Sequence, residues 1–115
     1  MLSVIVLSFN RRDTLLGTLG ALRSMPSGIV GETVVVDNAS RDESLSLLEQ
    51  AVVGDLRMCV VRNRTNPGFA AGVNQGLGLS SSPFVLLLNP DAVIESGAIA
   101  RLLEVMQAHP DVGLA

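Results

Sequence analysis

The chain has 115 residues, a formal net charge of −3 and 48% hydrophobic residues. A chain of this length forms one domain with its own core, and none of its apolar runs approaches the roughly 18 residues of a membrane span. The eight basic residues are all arginines scattered along the chain, which argues against a nucleic-acid partner. The apolar run near the amino terminus is short and lacks the basic flank of a secretory signal, so we expect a cytoplasmic protein.

Strand-like and helix-like patterns alternate four times along the chain. Strands are predicted from β-branched and apolar runs at 2–9, 33–36, 56–61 and 84–88. Helices are predicted from apolar residues at helical spacing at 13–25, 40–52, 66–77 and 96–108. Strands that alternate with helices of this size form right-handed crossovers, so the sequence predicts an α/β fold with a doubly wound, mainly parallel sheet and flanking helices.

Polar residues indicate where these elements begin and end. The start signals are Asp13 for the first helix, a capping box of Ser40 and Glu43 for the second, and Asn66 before Pro67 for the third. The fourth helix is predicted to run from Ser96 to Ala108, with Pro110 after it, and residues 111–115 to start a fifth strand. Cys59, the one cysteine, lies in an apolar strand pattern and is expected to be buried and without chemistry.

Three polar clusters follow predicted strands: Ser8-Phe9-Asn10, Asp37-Asn38 and Asn89-Pro90-Asp91. In open α/β sheets, ligands bind at the carboxyl ends of the strands, so these clusters are expected to share one cleft, with the first and fourth strands adjacent. Asp91 ends the most apolar strand, where a carboxylate can hold a metal ion or a polar substrate. The alternative for Asp91 alone is an Asx turn that closes the strand.

Three glycines, Gly72, Gly76 and Gly78, lie within or at the end of the third predicted helix. They do not form a dinucleotide fingerprint, which requires glycines in the turn after the first strand, and the chain has no P-loop motif. The small residues here allow close approach either of the helix to the sheet or of a ligand to the helix.

Four ordered motifs together resemble family 2 glycosyltransferases: VIVLSFNR at 4–11, VVVDNAS at 34–40, NPGFAAGVNQG at 66–76 and LLLNPD at 86–91. The resemblance covers almost the whole chain. It implies a GT-A fold, with residues 1–115 as a single Rossmann-like domain that binds a nucleotide-diphospho-sugar. The third and fourth motifs are most similar to the rhamnosyltransferase-like branch.

The resemblance also implies roles for individual residues. It implies that Asp91 is the ligand of Mg²⁺ or Mn²⁺, while Asn89 stands where the family usually has the first Asp of Asp-x-Asp and contributes an uncharged oxygen. The residues implied to contact the nucleotide-sugar are Ser8, Phe9, Asn10, Asp37, Gly68, Phe69, Gly72, Asn74 and Asn89. Within this set, Asp37 is implied to hydrogen-bond the base or ribose.

The activity implied is inverting transfer of a sugar to the hydroxyl of a saccharide or lipid-linked acceptor, in cell-surface polysaccharide or glycolipid synthesis at the inner face of the membrane. Inverting transfer needs a general base. The resemblance places that base beyond Ala115, so we expect the chain to be a donor-binding portion that is inactive by itself and can self-associate through an open sheet edge.

Two other functions are considered. A non-catalytic nucleotide-binding or regulatory module of the same fold is the main alternative, and a parent chain that continues without an acidic base would favour it. A nucleotidyltransferase is less consistent with the sequence, because the segment SFNRR at 8–12 has no glycine-rich loop.

Overall fold

The computed structural model describes residues 1–95 and 97–115, and in this part of the chain four strands alternate with four helices. The elements in chain order are β1 (Leu2–Ser8), α1 (Leu15–Arg23), β2 (Val30–Asp37), α2 (Ser44–Val52), β3 (Met58–Arg62), α3 (Phe69–Leu79), β4 (Phe84–Leu88) and α4 (Ala98–Ala108). The predicted α/β class is confirmed. The predicted start of the last helix at Ser96 lies outside the described residues. No helix within these ranges is both long and apolar enough to cross a membrane.

The four strands form one parallel sheet in the order β3-β2-β1-β4. β1 lies between β2 and β4, so the predicted contact between the first and fourth strands is confirmed. The chain adds β2 and β3 on one side of β1, and then adds β4 on the other side. This arrangement makes the carboxyl end of β1 the switch point of the sheet, where such folds bind ligands.

The two faces of the sheet are covered unequally. One face packs against α1, α2 and α4, and the residues of this core are Leu2, Val4, Val6, Leu15, Leu19, Leu22, Val30, Val35, Leu48, Ile99 and Leu103. The other face carries α3, which packs on β1 and β2. Gly72 and Gly76 face Leu7 and Ile5 of β1, and a Cβ at Gly76 would lie 2.6 Å from Ile5 Cγ2. These glycines therefore allow the α3 backbone to rest directly on the sheet.

Two sequence predictions about the chain's edges are wrong. Cys59 is exposed. It lies in the edge strand β3, in register with Val34, on the face where α3 packs mainly on β1 and β2. Residues 111–115 form no strand. They begin with a turn, in which Val112 N donates to His109 O at 3.0 Å, and an apolar pattern this short does not fix a strand without a pairing neighbour.

Three of the predicted helix starts are also wrong. α3 begins at Phe69 after Gly68, and not after Asn66. α1 begins after Thr14 and α2 after Glu43, and neither has a side-chain cap. Ser40 instead bonds to Asp37, and Asp42 Oδ1 accepts from Ser44 N at 2.9 Å at the start of α2. The competing bond to Asp37 explains why Ser40 does not form the predicted capping box.

Candidate functional site

A cavity of about 370 Å³ lies at the carboxyl ends of β1 and β4, and we call it the β1–β4 cavity. Its floor is apolar and includes Ile5, Leu7 and Leu87. Its rim comes from the end of β1, the loops after all four strands and the start of α3, and consists of Ser8, Phe9, Arg11, Asn38, Asn66, Gly68, Phe69, Asn89, Pro90 and Asp91. The rim therefore combines hydrogen-bonding groups, one cation and one carboxylate.

A second cavity, of about 640 Å³, lies beside the carboxyl end of β2, and we call it the β2 cavity. Its lining includes Phe9, Asn10, Asp37, Ser40, Arg41, Asn63, Arg64 and Asn66. Phe9 and Asn66 line both cavities. The two cavities therefore adjoin, and one extended ligand can occupy both.

Asp37 is the buried carboxylate of the β2 cavity. Its Oδ1 accepts from Ser40 Oγ at 2.6 Å and its Oδ2 accepts from Ser40 N at 3.0 Å. Each carboxylate oxygen has a further acceptor position, so these bonds fix the group without using all of its capacity. A ligand that donates an N–H or O–H to Asp37 meets a carboxylate already held in place.

Asn10 joins the loop after β1 to the loop after β2. Its Oδ1 accepts from Arg41 N at 2.7 Å and Asp42 N at 3.3 Å, and its own N–H donates to Ser40 Oγ at 3.0 Å. Asn10 has a φ of 52°, a left-handed conformation that Asn tolerates better than most residues. Although Asn10 lines the β2 cavity as predicted, its side-chain oxygen is used to fix a loop.

Asp42 strengthens the same connection. Its Oδ1 accepts from Ser44 N and its Oδ2 accepts from Arg12 N at 3.3 Å. Partial burial acts to raise the pKa of Asp42, but the hydrogen bonds from Ser44 and Arg12, with the nearby Arg12 charge, hold the pKa below its ordinary value. The carboxylate form of Asp42 therefore stabilises the junction of the two loops.

Asn38 connects the end of β2 to the start of α3. It is buried, its Nδ2 donates to Gly68 O at 3.2 Å, and its Oδ1 accepts from Asn63 Nδ2 at 2.9 Å. Asn63 exchanges two further hydrogen bonds with Gln75 of α3. No role was assigned to Asn38 from the sequence, although its place in a polar cluster after a strand is the signal that marks it.

The turn after β4 presents two oxygen-bearing side chains. Asn89 and Asp91 are exposed at the β1–β4 cavity, and Pro90 between them is buried. Thr18 Oγ1 lies 3.0 Å from Pro90 O and 3.2 Å from Ala92 O, and its hydroxyl proton is shared between them. These hydrogen bonds attach the turn to α1, and the side chains of Asn89 and Asp91 remain exposed at the cavity.

Carboxylate and amide oxygens suit Mg²⁺ or Mn²⁺. Across residues 1–95 and 97–115, no group of three or more His, Cys, Asp or Glu side chains could hold a metal ion. Mg²⁺ is often bound by one or two carboxylates together with substrate phosphates and water. Asp91 with Asn89 fits such an open site, and does not fit a cage made of protein ligands alone.

The structure brings most of the predicted site residues to the two cavities. Ser8, Phe9, Gly68, Phe69, Asn89 and Asp91 line the β1–β4 cavity. Phe9, Asn10 and Asp37 line the β2 cavity. Gly72 and Asn74 line neither: Gly72 packs against Leu7 and Asn38, and Asn74 is exposed on α3. Arg62, at the end of β3, is paired with Glu49, and Arg64 in the following loop lines the β2 cavity.

Comparison with known proteins places this site in a family context. The family model described as Glycosyl transferase family 2 matches residues 3–115. The chain is 32% identical over 100 residues to the succinoglycan biosynthesis protein ExoU of Rhizobium meliloti (strain 1021), covering 87% of this chain and 29% of that protein. It is 30% identical over 112 residues to an uncharacterized glycosyltransferase of Haemophilus influenzae (strain ATCC 51907 / DSM 11121 / KW20 / Rd), covering 97% of this chain and 36% of that protein.

Two solved structures share the fold. S. aureus TarS 1–349 in complex with UDP-GlcNAc superposes with a TM-score of 0.80 at 27% identity, over 95% of this chain and 32% of that one. The mannosyltransferase PcManGT of Pyrobaculum calidifontis superposes with a TM-score of 0.81 at 23% identity, over 91% of this chain and 32% of that one, which shows a common fold. The chain thus spans about a third of the length of the relatives it matches. Since the family model extends over residues 3–115, the chain belongs to glycosyl transferase family 2.

Proposed function

We propose that the chain is the donor-binding part of an inverting glycosyltransferase, which transfers a sugar from a nucleotide-diphospho-sugar to an acceptor hydroxyl. The observation that carries the proposal is the pair of adjoining cavities at the switch point of the sheet. One holds the buried Asp37 carboxylate, and the other holds the exposed oxygens of Asn89 and Asp91. A nucleotide-sugar needs both environments, because its nucleoside offers hydrogen-bond donors and its diphosphate requires a cation.

The nucleoside is proposed to occupy the β2 cavity. Asp37 then accepts a hydrogen bond from the base or ribose, and Phe9, which borders both cavities, contacts the nucleotide where it crosses between them. The superposition of TarS, whose structure is in complex with UDP-GlcNAc, supports a nucleotide-sugar at this fold. The sugar is proposed to lie in the β1–β4 cavity beside Gly68 and Phe69.

Asp91 and Asn89 are proposed to hold Mg²⁺ or Mn²⁺ through their side-chain oxygens. When bound, the ion neutralises negative charge on the diphosphate and on the departing nucleotide. Because Asn89 is uncharged, the protein contributes a single negative charge from this turn. A large share of the ion's affinity is therefore expected to come from the nucleotide itself.

The remaining parts of the reaction are proposed to lie outside this chain. The general base is proposed to be an acidic residue beyond Ala115, in a part of the protein that binds a saccharide or lipid-linked acceptor. The name of the succinoglycan relative supports a role in cell-surface polysaccharide or glycolipid synthesis. We propose the rhamnosyltransferase-like branch from the resemblance of the Asn89-Pro90-Asp91 turn, and we propose that the protein acts at the cytoplasmic face of the membrane.

Titration calorimetry with uridine and guanosine diphosphates tests the proposal on the wild-type chain, Asp91→Ala and the control Asp111→Ala, with Mn²⁺ or with EDTA. We expect Mn²⁺ to strengthen binding to the wild type and the control. We expect Asp91→Ala to lose affinity about tenfold or more in Mn²⁺, because even the outer partners of metal ligands contribute about 10–100-fold. In EDTA, all three proteins should bind with similar weak affinity.

The outcomes separate the parts of the proposal. Equal binding by Asp91→Ala and wild type in Mn²⁺ contradicts the metal role, and no binding of either nucleotide under any condition contradicts the donor site. With sugar nucleotides and candidate acceptors added, the chain is expected to show no turnover, because a positioned base contributes about 10²–10⁴-fold. Sustained turnover would place the base within residues 1–115 instead.

A further inference from the structure

Residues 89–92 form a β-turn directly after β4, and we call this segment the β4 turn. Ala92 N donates to Asn89 O at 3.1 Å, so Pro90 and Asp91 occupy the two central positions of the turn. Pro suits the first of these positions because its ring fixes φ at about −65°. The bond within the turn sets its local shape, but it does not fix how the turn lies on the rest of the fold.

A threonine of α1 supplies that connection. Thr18 Oγ1 lies 3.0 Å from Pro90 O and 3.2 Å from Ala92 O. These two carbonyl groups belong to the residues on either side of Asp91, so one hydroxyl holds the backbone before and after the carboxylate. The partners are 72 and 74 residues from Thr18 in sequence, and only the folded arrangement of α1 and β4 brings them together.

The Thr18 hydroxyl does not use the usual acceptor of a threonine in a helix. Such a hydroxyl commonly bonds the carbonyl three or four residues earlier in the same helix. For Thr18 the carbonyl four residues earlier is Thr14 O, which accepts from Thr18 N at 3.2 Å. The hydroxyl is therefore committed to the β4 turn and not to its own helix.

Thr18 is separated from any ligand by the turn that it holds. It is 4% exposed, and in the described part of the chain it lines neither the β1–β4 cavity nor the β2 cavity. Pro90 is also buried, whereas Asn89 and Asp91 are exposed at the β1–β4 cavity. An effect of Thr18 on ligand binding must therefore act through the position of the turn.

The small set of metal ligands makes the position of Asp91 important. The β4 turn offers one carboxylate and one amide oxygen, and residues 1–95 and 97–115 contain no cluster of three or more His, Cys, Asp or Glu side chains that could replace them. Mg²⁺ requires a nearly ideal octahedral arrangement of its ligands. Groups that orient a metal ligand commonly contribute about 10–100-fold to metal affinity. A displaced Asp91 would thus have no second carboxylate in the turn to compensate for it.

We infer that Thr18 is a positioning residue for the divalent cation, because its hydroxyl holds the backbone on both sides of Asp91. Removal of the hydroxyl takes the donor from two carbonyl groups, and a buried carbonyl that loses its partner is unfavourable. The turn is then expected to move until water reaches these carbonyls, and the Asp91 carboxylate moves with it. The inference rests on the metal role in the proposed function.

Two pairs of side chains at position 18 isolate the hydroxyl. Thr and Val share one shape and differ by the hydroxyl, and Ser and Ala differ by the same group without the branching methyl. Helix propensities of Thr and Val are similar, so Thr18→Val changes α1 itself little. The matched control is Thr33→Val, because Thr33 is 3% exposed and lies in β2, in register with Val4 and Met58 and away from the β4 turn.

The readout is the Mn²⁺-dependent gain, which is the nucleotide affinity in Mn²⁺ divided by that in EDTA, measured by titration calorimetry. The nucleotide is uridine or guanosine diphosphate, whichever the wild-type chain binds more tightly. We expect Thr18→Val and Thr18→Ala to lose roughly threefold to tenfold of this gain, and Thr18→Ser and Thr33→Val to lose less than about twofold. In EDTA all these proteins should bind alike, since Thr18 does not contact the nucleotide.

The melting temperature separates positioning from a general loss of stability. Thr18→Ser removes a buried methyl group and should also lower the melting temperature, because it leaves a small cavity. A destabilised Thr18→Ser protein that keeps the wild-type gain shows that the gain follows the hydroxyl and not the stability. If Thr18→Val does not fold, the comparison of Thr18→Ser with Thr18→Ala decides the question by itself.

The remaining outcomes overturn the inference in distinguishable ways. If Thr18→Val and Thr18→Ala keep the wild-type gain while Asp91→Ala loses it, Thr18 has a packing role only and the proposed function stands. If Thr18→Ser loses as much gain as Thr18→Ala, the methyl group and not the hydroxyl positions the turn. If the wild type shows no gain, or Asp91→Ala keeps it, the metal role and this inference are both wrong, and nucleotide binding in EDTA then tells whether the donor site remains.

Discussion

At the scale of single residues, two non-glycine residues hold left-handed backbone conformations beside the β2 cavity. Asn10 has a φ of 52° and Ala39 a φ of 63°. Such conformations cost free energy and persist where surrounding contacts enforce them, often at functional sites. Here the enforcing contacts are the hydrogen bonds across the two loops, in which Asn10 N donates to Ser40 Oγ and Asn10 Oδ1 accepts from Arg41 N. The strained backbone therefore belongs to the hydrogen-bonded loops that hold Ser40, and Ser40 in turn fixes the Asp37 carboxylate.

Substitution of Asn10 tests this account of the strain. Asn10→Gly removes the acceptor for Arg41 N and Asp42 N but adopts a positive φ freely. Asn10→Ala removes the same acceptor and keeps the cost of the left-handed conformation, about 1–2 kcal/mol. We expect Asn10→Ala to lower the free energy of unfolding by about 1 kcal/mol more than Asn10→Gly, as measured by urea denaturation. Equal losses would show that the backbone at Asn10 is unstrained.

The positions of Asp37, Asn89 and Asp91 could be predicted from sequence, because a polar residue directly after a buried run lies at a strand end whatever the rest of the fold does. The role of Ser40 could not. Ser40 donates to Asp37, three residues before it, and accepts from Asn10 N in a loop 30 residues away in sequence. The sequence pattern favoured a helix cap for Ser40, but these two hydrogen bonds engage its hydroxyl instead.

At the scale of elements, α3 is the helix on which the β1–β4 cavity depends most. It provides the cavity's edge at Gly68 and Phe69, and it rests on β1 through Gly72 and Gly76. The sequence left two explanations open for these small residues, close packing on the sheet or close approach of a ligand. The contacts of Gly72 with Leu7 and of Gly76 with Ile5 support close packing.

A pair of alanine substitutions in α3 measures this contact. Gly72→Ala places a Cβ against Leu7 and Asn38, and overpacking of this kind costs about 1–3 kcal/mol, offset by up to about 1 kcal/mol of helix propensity. Gly78→Ala meets nothing within 4 Å and should stabilise by about 0.5–1 kcal/mol. Thermal unfolding followed by circular dichroism should move in opposite directions for the two variants. A stabilised Gly72→Ala would mean that Leu7 yields at no cost.

Elements could be predicted where periodicity is strong, as in β1 and α4, since burial itself produces the pattern. The boundaries of the helices could not be predicted, because contacts between loops decide which residue caps a helix. At the start of α2, Asp42 and not Ser40 accepts a hydrogen bond from the backbone. The exposure of Cys59 in the edge strand β3 could not be predicted either, because it also depends on tertiary contacts. An apolar run in β3 does not reveal how far a helix extends over it.

At the scale of the whole molecule, the two ends of the sheet have different chemistry. The carboxyl end carries the β1–β4 and β2 cavities, whereas at the amino end the Glu32 carboxylate of β2 joins neighbouring segments by hydrogen bonds. Its Oε1 accepts from Ser3 Oγ at 2.5 Å, Ser81 N at 2.7 Å and Ser81 Oγ at 3.0 Å. One carboxylate thus joins β1, β2 and the segment between α3 and β4.

The stability of the fold should depend on pH through this carboxylate. The hydrogen bond from Ser3 Oγ, followed by those from Ser81, holds the pKa of Glu32 below its ordinary value of 4.5, although burial acts in the opposite direction. A lowered pKa in the folded state means that the stabilisation is present above pH 4.5 and is lost as pH falls toward the folded-state pKa. Urea denaturation at about pH 7 and about pH 3.5 should therefore show a larger loss for the wild type than for Glu32→Gln. Because Asp42 and Asp55 also have lowered pKa values, the difference between the proteins is the informative quantity, and equal losses would exclude Glu32 as a contributor.

The packing of α3 on the sheet through two glycines limits how the ligand preference of the β1–β4 cavity can be altered by mutation. The floor of the β1–β4 cavity is β-strand, and the helix beside it has no spare space at Gly72 or Gly76. New specificity must therefore arise at the rim, where Phe9, Arg11 and Asn66 are exposed and are not packed into the core. A mutant library confined to the rim should retain folded members at a high rate, whereas one that includes the two glycines should contain fewer folded members.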